Sequence, residues 1–346
     1  VYHITMSSSS GSSDRTDVIV VVVRHGERLD YVMRDAGDNW IPTTDRPWDP
    51  PLTSNGKEQA RTLGKELHKI LKDLKLPSSK IDAVYSSPFY RCRQTAAGII
   101  SGEVEASEII SKANKKIRVE IGLSESINQN WYRSWAISGT DGTWGYNKEH
   151  DISTYAVDDL HPASKEPIQI SPILNWKSIE KDETRTMIDD AYVSKSKIET
   201  PYILYPEPKF ENYKTQRNRM LQTLKQLTSD TKDDNHSNNV KVIVMVSHGG
   251  PVTHLYESLT GNHWNAHGIS KYCCYSIYQK EKKSNNDEED DGDNKQRWTP
   301  LVVNQTLWGK NTENGATTAA AAVSKDKNKE ESSDKHNVSN NNNNAN

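Results

Sequence analysis

An α/β fold, built as a three-layer α/β/α sandwich on a mostly parallel central sheet, follows from three observations. Two apolar runs, at 18–23 and 242–246, are continuous rather than alternating, as in strands buried on both faces. Segments of helical periodicity lie between them. Each run stops abruptly in a cluster of charged or imidazole side chains, "RHGER" after the first and "SHGG" after the second.

The first element is the strand 18–23, which reads VIVVVV. After a loop comes a segment in which Ala60, Leu63, Leu67, Ile70, Leu71 and Leu74 recur at helical spacing, with Thr53 or Ser54 as its cap. Residues 81–100 read as a short strand, a Ser87 cap, a proline suited to the first turn, and a helix. A helix over 213–227 leads through a polar loop into the second buried strand. A Pro251-initiated helix follows, with Gly261 as its stop. The segments 272–280 and 296–305 are strand-like and predict a hairpin.

The chain has 346 residues and a formal charge of −3, enough length for a sizeable core and no charge excess that names a partner. The three cysteines, Cys92, Cys273 and Cys274, match neither a disulfide framework nor a metal knuckle, which predicts a reducing, cytoplasmic setting. No apolar run is long enough to span a membrane, and the first residues lack the pattern of a secretory signal. On that setting the sequons at Asn235, Asn304 and Asn337 are discounted. No nucleic-acid or membrane partner is expected, and the oligomeric state is open.

Composition divides the chain. Residues 1–16 and the Asn-rich tail 310–346 are expected to be disordered, leaving one folded domain at 17–309. Inside it lie a long insertion or lid region, 126–205, and an acidic loop, 281–294, with seven acidic residues against two lysines.

In an open α/β sheet, ligands bind beyond the carboxyl ends of the strands. Three strand ends deliver reactive groups: Arg24, His25 and Arg28 from the first, Arg91 after "YSSPFY", and His248 after "IVMVS". Guanidinium groups match phosphate oxygens, a neutral imidazole is a nucleophile toward phosphorus, and helix N-termini at Pro88 and Pro251 add backbone donors. Arg93 lies about 200° around the helix from Arg91, so both cannot face one phosphate, and Arg93 is assigned to the surface. His254, His263 and His267 are read as scattered surface histidines rather than metal ligands.

In chain order, "VVVVRHGERLD", "DPPLTSNGKEQARTLGKEL", "VYSSPFYRCRQTA", "IRVEIGLSE" and "VMVSHGGPV" resemble the motifs of the histidine phosphatase superfamily, phosphoglycerate mutase-like branch. Within it, the chain looks most like the suppressor of T-cell receptor signalling phosphatases and the ecdysteroid-phosphate phosphatases. The resemblance implies a metal-independent phosphoric monoester hydrolase with no cofactor, in which His25 becomes phosphohistidine. Arg24, Arg28, Arg91 and His248 would then hold the phosphate. The family's proton donor falls best on Glu125, with Glu120 second.

Where mutases carry Ser/Thr and Asn after the first motif, this chain has Arg28 and Tyr31, which argues against mutase activity. A phosphorylated small molecule or phosphoprotein is the expected partner, with phosphotyrosine or a bulky, aromatic phosphate ester as candidate substrates. Trp131, Tyr132 or Trp135 would line an apolar wall, or else pack the insertion's own core. The alternative function is a phosphate-ligand binding or scaffold module with little turnover.

Overall fold

The computed structural model describes residues 18–40, 43–44, 49–76, 80–106, 115–125, 182–196, 213–229, 241–280 and 298–307. The expected disordered ends, the acidic loop, and Trp131, Tyr132 and Trp135 lie outside the described residues.

Strand β1 (Val18–Arg24) is at most 1% exposed along its six apolar residues. Its alternate side chains feed two separate cores. Ile19, Val21 and Val23 join Leu63, Leu67 and Ile99 on one face of the sheet, whereas Val18, Val20 and Val22 join Met220, Leu224 and Leu255 on the other. That two-sided burial is why the run has no polar alternation; each such side chain contributes about 1.5–3 kcal/mol.

The first face is covered by helices α2 (Ser54–Asp73) and α3 (Tyr90–Ala106). The second is covered by α4 (Tyr213–Ser229) and α5 (Gly249–Thr260). Three layers result.

The six-stranded sheet has the order β3-β2-β4-β1-β5-β6. Here β2 is Ala83–Ser86, β3 Ile117–Val119, β4 Lys241–Ser247, β5 Tyr275–Lys280 and β6 Trp298–Gln305. The four strands β3, β2, β4 and β1 run parallel; β5 is antiparallel to β1, and β6 is antiparallel to β5. The hairpin predicted from sequence therefore forms one edge, where Pro300 in β6 is tolerated.

Local signals account for the helix ends. Thr53 caps α2, its hydroxyl accepting from the Gly56 N–H at 2.9 Å. Gly261 ends α5 in the left-handed conformation, φ 73°. Two expectations need correction. The loop after β1 contains a short helix, α1 (Leu29–Asp35). Ser87 does not cap the first helical N–H of α3: Asp49 accepts that Tyr90 N–H at 2.7 Å, and Ser87 Oγ takes only a longer bond from Phe89 N–H. Among the described residues, no helix is long and apolar enough to cross a membrane.

Candidate active site

The parallel register of β1 and β4 pairs Arg24 with Ser247, so the next residue of each strand, His25 and His248, emerges beside the other. The His25 N–H bonds the Ser247 carbonyl at 2.9 Å, and the two imidazoles meet edge to face with centroids 5.4 Å apart. Both are almost completely buried, at 1% and 0% exposure. Gly26 follows because the turn presses on α2: a Cβ there would lie 2.5 Å from the Gly56 carbonyl oxygen. The Gly26 N–H donates to Thr95 Oγ1 on α3.

The arginines arrive from two elements. Arg24 stacks its guanidinium 4.4 Å from the centroid of Tyr272 and donates Nη1–H to the Ser270 carbonyl at 2.6 Å. Its Nε–H is buried and has no hydrogen-bond partner among the described residues. Arg28 is 3% exposed, forks onto Asp30 with bonds of 2.9 and 2.5 Å, and lies over Tyr31. Arg91, fully buried on α3, reaches His248 Nδ1 through Nη2 at 3.1 Å, with Asp49 3.8 Å from Nη1.

His25 Nδ1 lies 2.8 Å from the Gly26 carbonyl. Burial first, then the charges of Arg91, Arg24 and Arg28, hold its pKa well below the ordinary 6.5. Burial, Arg91, His25, Arg28 and Arg219 do the same to His248. Both rings are therefore neutral near neutral pH. His248 also contacts Ser87 Oγ at 2.8 Å through Nε2, Phe89 edge to face, and the Cys92 sulfur. Burial pushes the Cys92 thiol up to about 12.

The two carboxylates weighed from the sequence occupy different environments. Glu125 is 5% exposed, with Oε2 3.9 Å from His248 Nδ1. Glu120 has no exposure and accepts five hydrogen bonds, from the N–H groups of Gly122, Lys195 and Ser196 and the hydroxyls of Tyr192 and Ser194. Burial alone would raise its pKa, but bonds from Ser194, Ser196, Lys195 and Tyr192 outweigh that and hold it below the usual carboxylate value. Glu120 ties residues 192–196 to the end of β3. Arg219 of α4 clamps the same turn, donating to the carbonyls of Gly122 and Ser124.

Arg93 is the main correction. It is not on the surface but has no exposed area, paired with an equally buried Asp182 and donating Nε–H to the Pro88 carbonyl at 3.1 Å. The side of α3 opposite Arg91 is covered by residues 182–184, where Gln94 also holds Glu183. His254 is half-buried rather than superficial, bonded to Gln216 at 2.8 Å, whereas His263 and His267 are exposed. Among the described residues no cluster of His, Cys, Asp or Glu has the makings of a metal site. The Asn304 amide nitrogen is engaged with backbone carbonyls of residues 267–269.

Sequence reading missed Asp30, Asp49, Tyr272 and Arg219. Only Asp30, two residues from Arg28, left a local signal.

Comparison with known proteins places these residues in context. Residues 20–114 match the family model of the histidine phosphatase superfamily, branch 1; Glu125 and His248 lie beyond that match. Ubiquitin-associated and SH3 domain-containing protein B of Mus musculus is 30% identical over 171 residues, 42% of this chain and 24% of the relative. Protein A of the same name and organism is 31% identical over 172 residues, again 42% and 24%. The match thus spans about a quarter of these relatives' length.

Among solved structures, the ecdysone phosphate phosphatase from Bombix mori in complex with tungstate is similar at 18% identity, TM-score 0.43, over 76% of this chain and 89% of that one. The chain resembles the histidine phosphatase superfamily, and the matched segment is the one that carries Arg24, His25, Arg28 and Arg91.

Proposed function

We propose that the chain hydrolyses phosphate monoesters through a phosphohistidine on His25. One observation carries this reading: the His25 Nδ1 faces a carbonyl, which can only accept, so Nδ1 bears the proton and Nε2 presents a lone pair. That lone pair belongs to a neutral ring surrounded by Arg24, Arg28, Arg91 and His248.

The chemistry follows in two steps. His25 Nε2 attacks phosphorus as the bond to the ester oxygen breaks, and Glu125 supplies the proton that the departing oxygen takes up. Water then attacks the phosphohistidine, giving its proton to the Glu125 carboxylate and releasing inorganic phosphate. Arg24, with a buried Nε–H to offer, and Arg91 neutralise charge on the equatorial oxygens in both steps. Arg28 contributes with its charge balanced by Asp30. No step calls on a cofactor.

For the leaving group we favour a bulky or aromatic alcohol. Tyr272 and Tyr31 stack against Arg24 and Arg28 and give this side of the site an aromatic border. Hydrolysis of an aryl phosphate in chelator, wild type against His25→Ala, tests the central claim. Turnover lost in the variant supports it, and no turnover in the wild type favours the binding-module reading. Equal rates on aryl and sugar phosphates would remove the leaving-group preference.

A further inference from the structure

We infer that Ser87 is a positioning residue of this site, which fixes the proton of His248 on Nε2 and leaves Nδ1 as a lone pair facing Arg91 and Glu125. The inference rests on the phosphatase reading only for what that lone pair does in turnover.

Donors and acceptors decide where the proton sits. Arg91 Nη2 lies 3.1 Å from His248 Nδ1, and a guanidinium nitrogen can only donate. Nδ1 must therefore accept, and a neutral imidazole then carries its single proton on Nε2. Facing Nε2 at 2.8 Å is Ser87 Oγ, an oxygen with lone pairs to receive it. The Cys92 sulfur, 3.5 Å from the same nitrogen, is the weaker alternative acceptor and lies within reach of the Ser247 carbonyl.

The ring's two edges thus face different surroundings. The Nε2 edge meets Ser87 and, at 3.5 Å, the Cys92 sulfur, and the Nδ1 edge meets Arg91 and, each at 3.9 Å, Glu125 and the same sulfur. Other charged or titratable groups acting on the ring are His25 and Arg28 from the β1 side and Arg219 from α4. All of the cationic ones oppose a second proton.

Ser87 reaches this place through the sheet. Its N–H bonds the Val246 carbonyl at 3.0 Å, continuing the β2–β4 ladder by one residue, so its side chain meets the residue that follows β4. A lone pair at Nδ1 takes the Arg91 N–H and leaves the Glu125 proton on the carboxyl, available to the departing oxygen. A proton at Nδ1 would instead confront Arg91.

Nitrogen NMR of the full chain with 15N-labelled histidine decides the matter, with His248 identified by its loss in His248→Asn. The wild type is expected to show the Nε2–H pattern near neutral pH. Ser87→Ala should shift the tautomer ratio by roughly 3- to 10-fold, the factor of one hydrogen bond, and Ser87→Thr should restore it.

An Nδ1–H pattern in the wild type overturns the inference without any variant. A ratio unchanged in a folded Ser87→Ala overturns it too. A wild type with the expected tautomer but no phosphate release would sink the hydrolase reading and leave the proton assignment standing.

Discussion

Arg93 and Asp182 form an ion pair with essentially no solvent exposure, 0% and 1% for the two side chains, and it joins α3 to the segment 182–184. The pair sits two residues from Arg91 and braces the Pro88 carbonyl at the entry to the same helix. Removing one partner strands the other charge in the interior. Arg93→Ala is expected to destabilise the fold by about 3–5 kcal/mol, and Asp182→Leu similarly, while Arg93→Leu with Asp182→Leu together should cost less than either alone. Chemical denaturation of the four proteins checks this; additive losses would contradict it.

Glu125→Gln and Glu120→Gln should fail in different ways. Glu125→Gln keeps the fold and lowers kcat about 10²–10⁴-fold on an alkyl phosphate, with a smaller loss on an aryl phosphate whose leaving group needs less protonation. Glu120→Gln places an amide where five donors converge, and should cost about 1–3 kcal/mol for each bond it cannot accept. Paired rate and melting measurements separate the two.

The two histidines also set a pH dependence. Both have folded-state pKa values depressed below 6.5, chiefly by burial, so the unfolded chain binds more protons than the folded one in the window beneath that value. Their contribution to stability is complete above pH 6.5 and is lost as pH falls toward the folded values. The Tm should therefore drop on acidification from 6.5, and replacing His248 with Asn should flatten that slope. In kcat/KM, no limb from His25 protonation is expected near 6.5; one centred there would contradict the neutral, preorganised nucleophile.

Gly26→Ala is expected to be more harmful than its size suggests. The added carbon would meet the backbone of Gly56 at 2.5 Å, and backbone cannot move aside as a side chain does. Loss of both stability and turnover is the expected outcome, measured by melting temperature and phosphate release. Wild-type behaviour would mean that the contact relaxes freely.

The buried strands and the residues at their tips were legible because a strand covered on both faces has no structural use for charge at its end. His25, Arg91 and His248 converge for the simple reason that parallel strands carry their ends to one side of a sheet. What was not legible depends on distant partners. Arg93 looked superficial because a helical wheel knows nothing of residues 182–184, almost ninety positions away, which cover that side. Asp49 takes over the capping of α3 from a distance of 41 residues, which frees Ser87 to face His248. Glu120 and Glu125 differ by five residues in sequence; the donors gathered from 192–196 around the first and the His248 ring beside the second tell them apart.

The sealed position of the Cys92 sulfur beneath His248 extends to the other two thiols, since Cys273 and Cys274 are buried as well. An alkylating reagent at neutral pH therefore meets no reactive sulfur on the native fold. The rate at which iodoacetamide consumes these groups becomes a built-in clock for how often the fold opens around α3 and the turn that leads into β5.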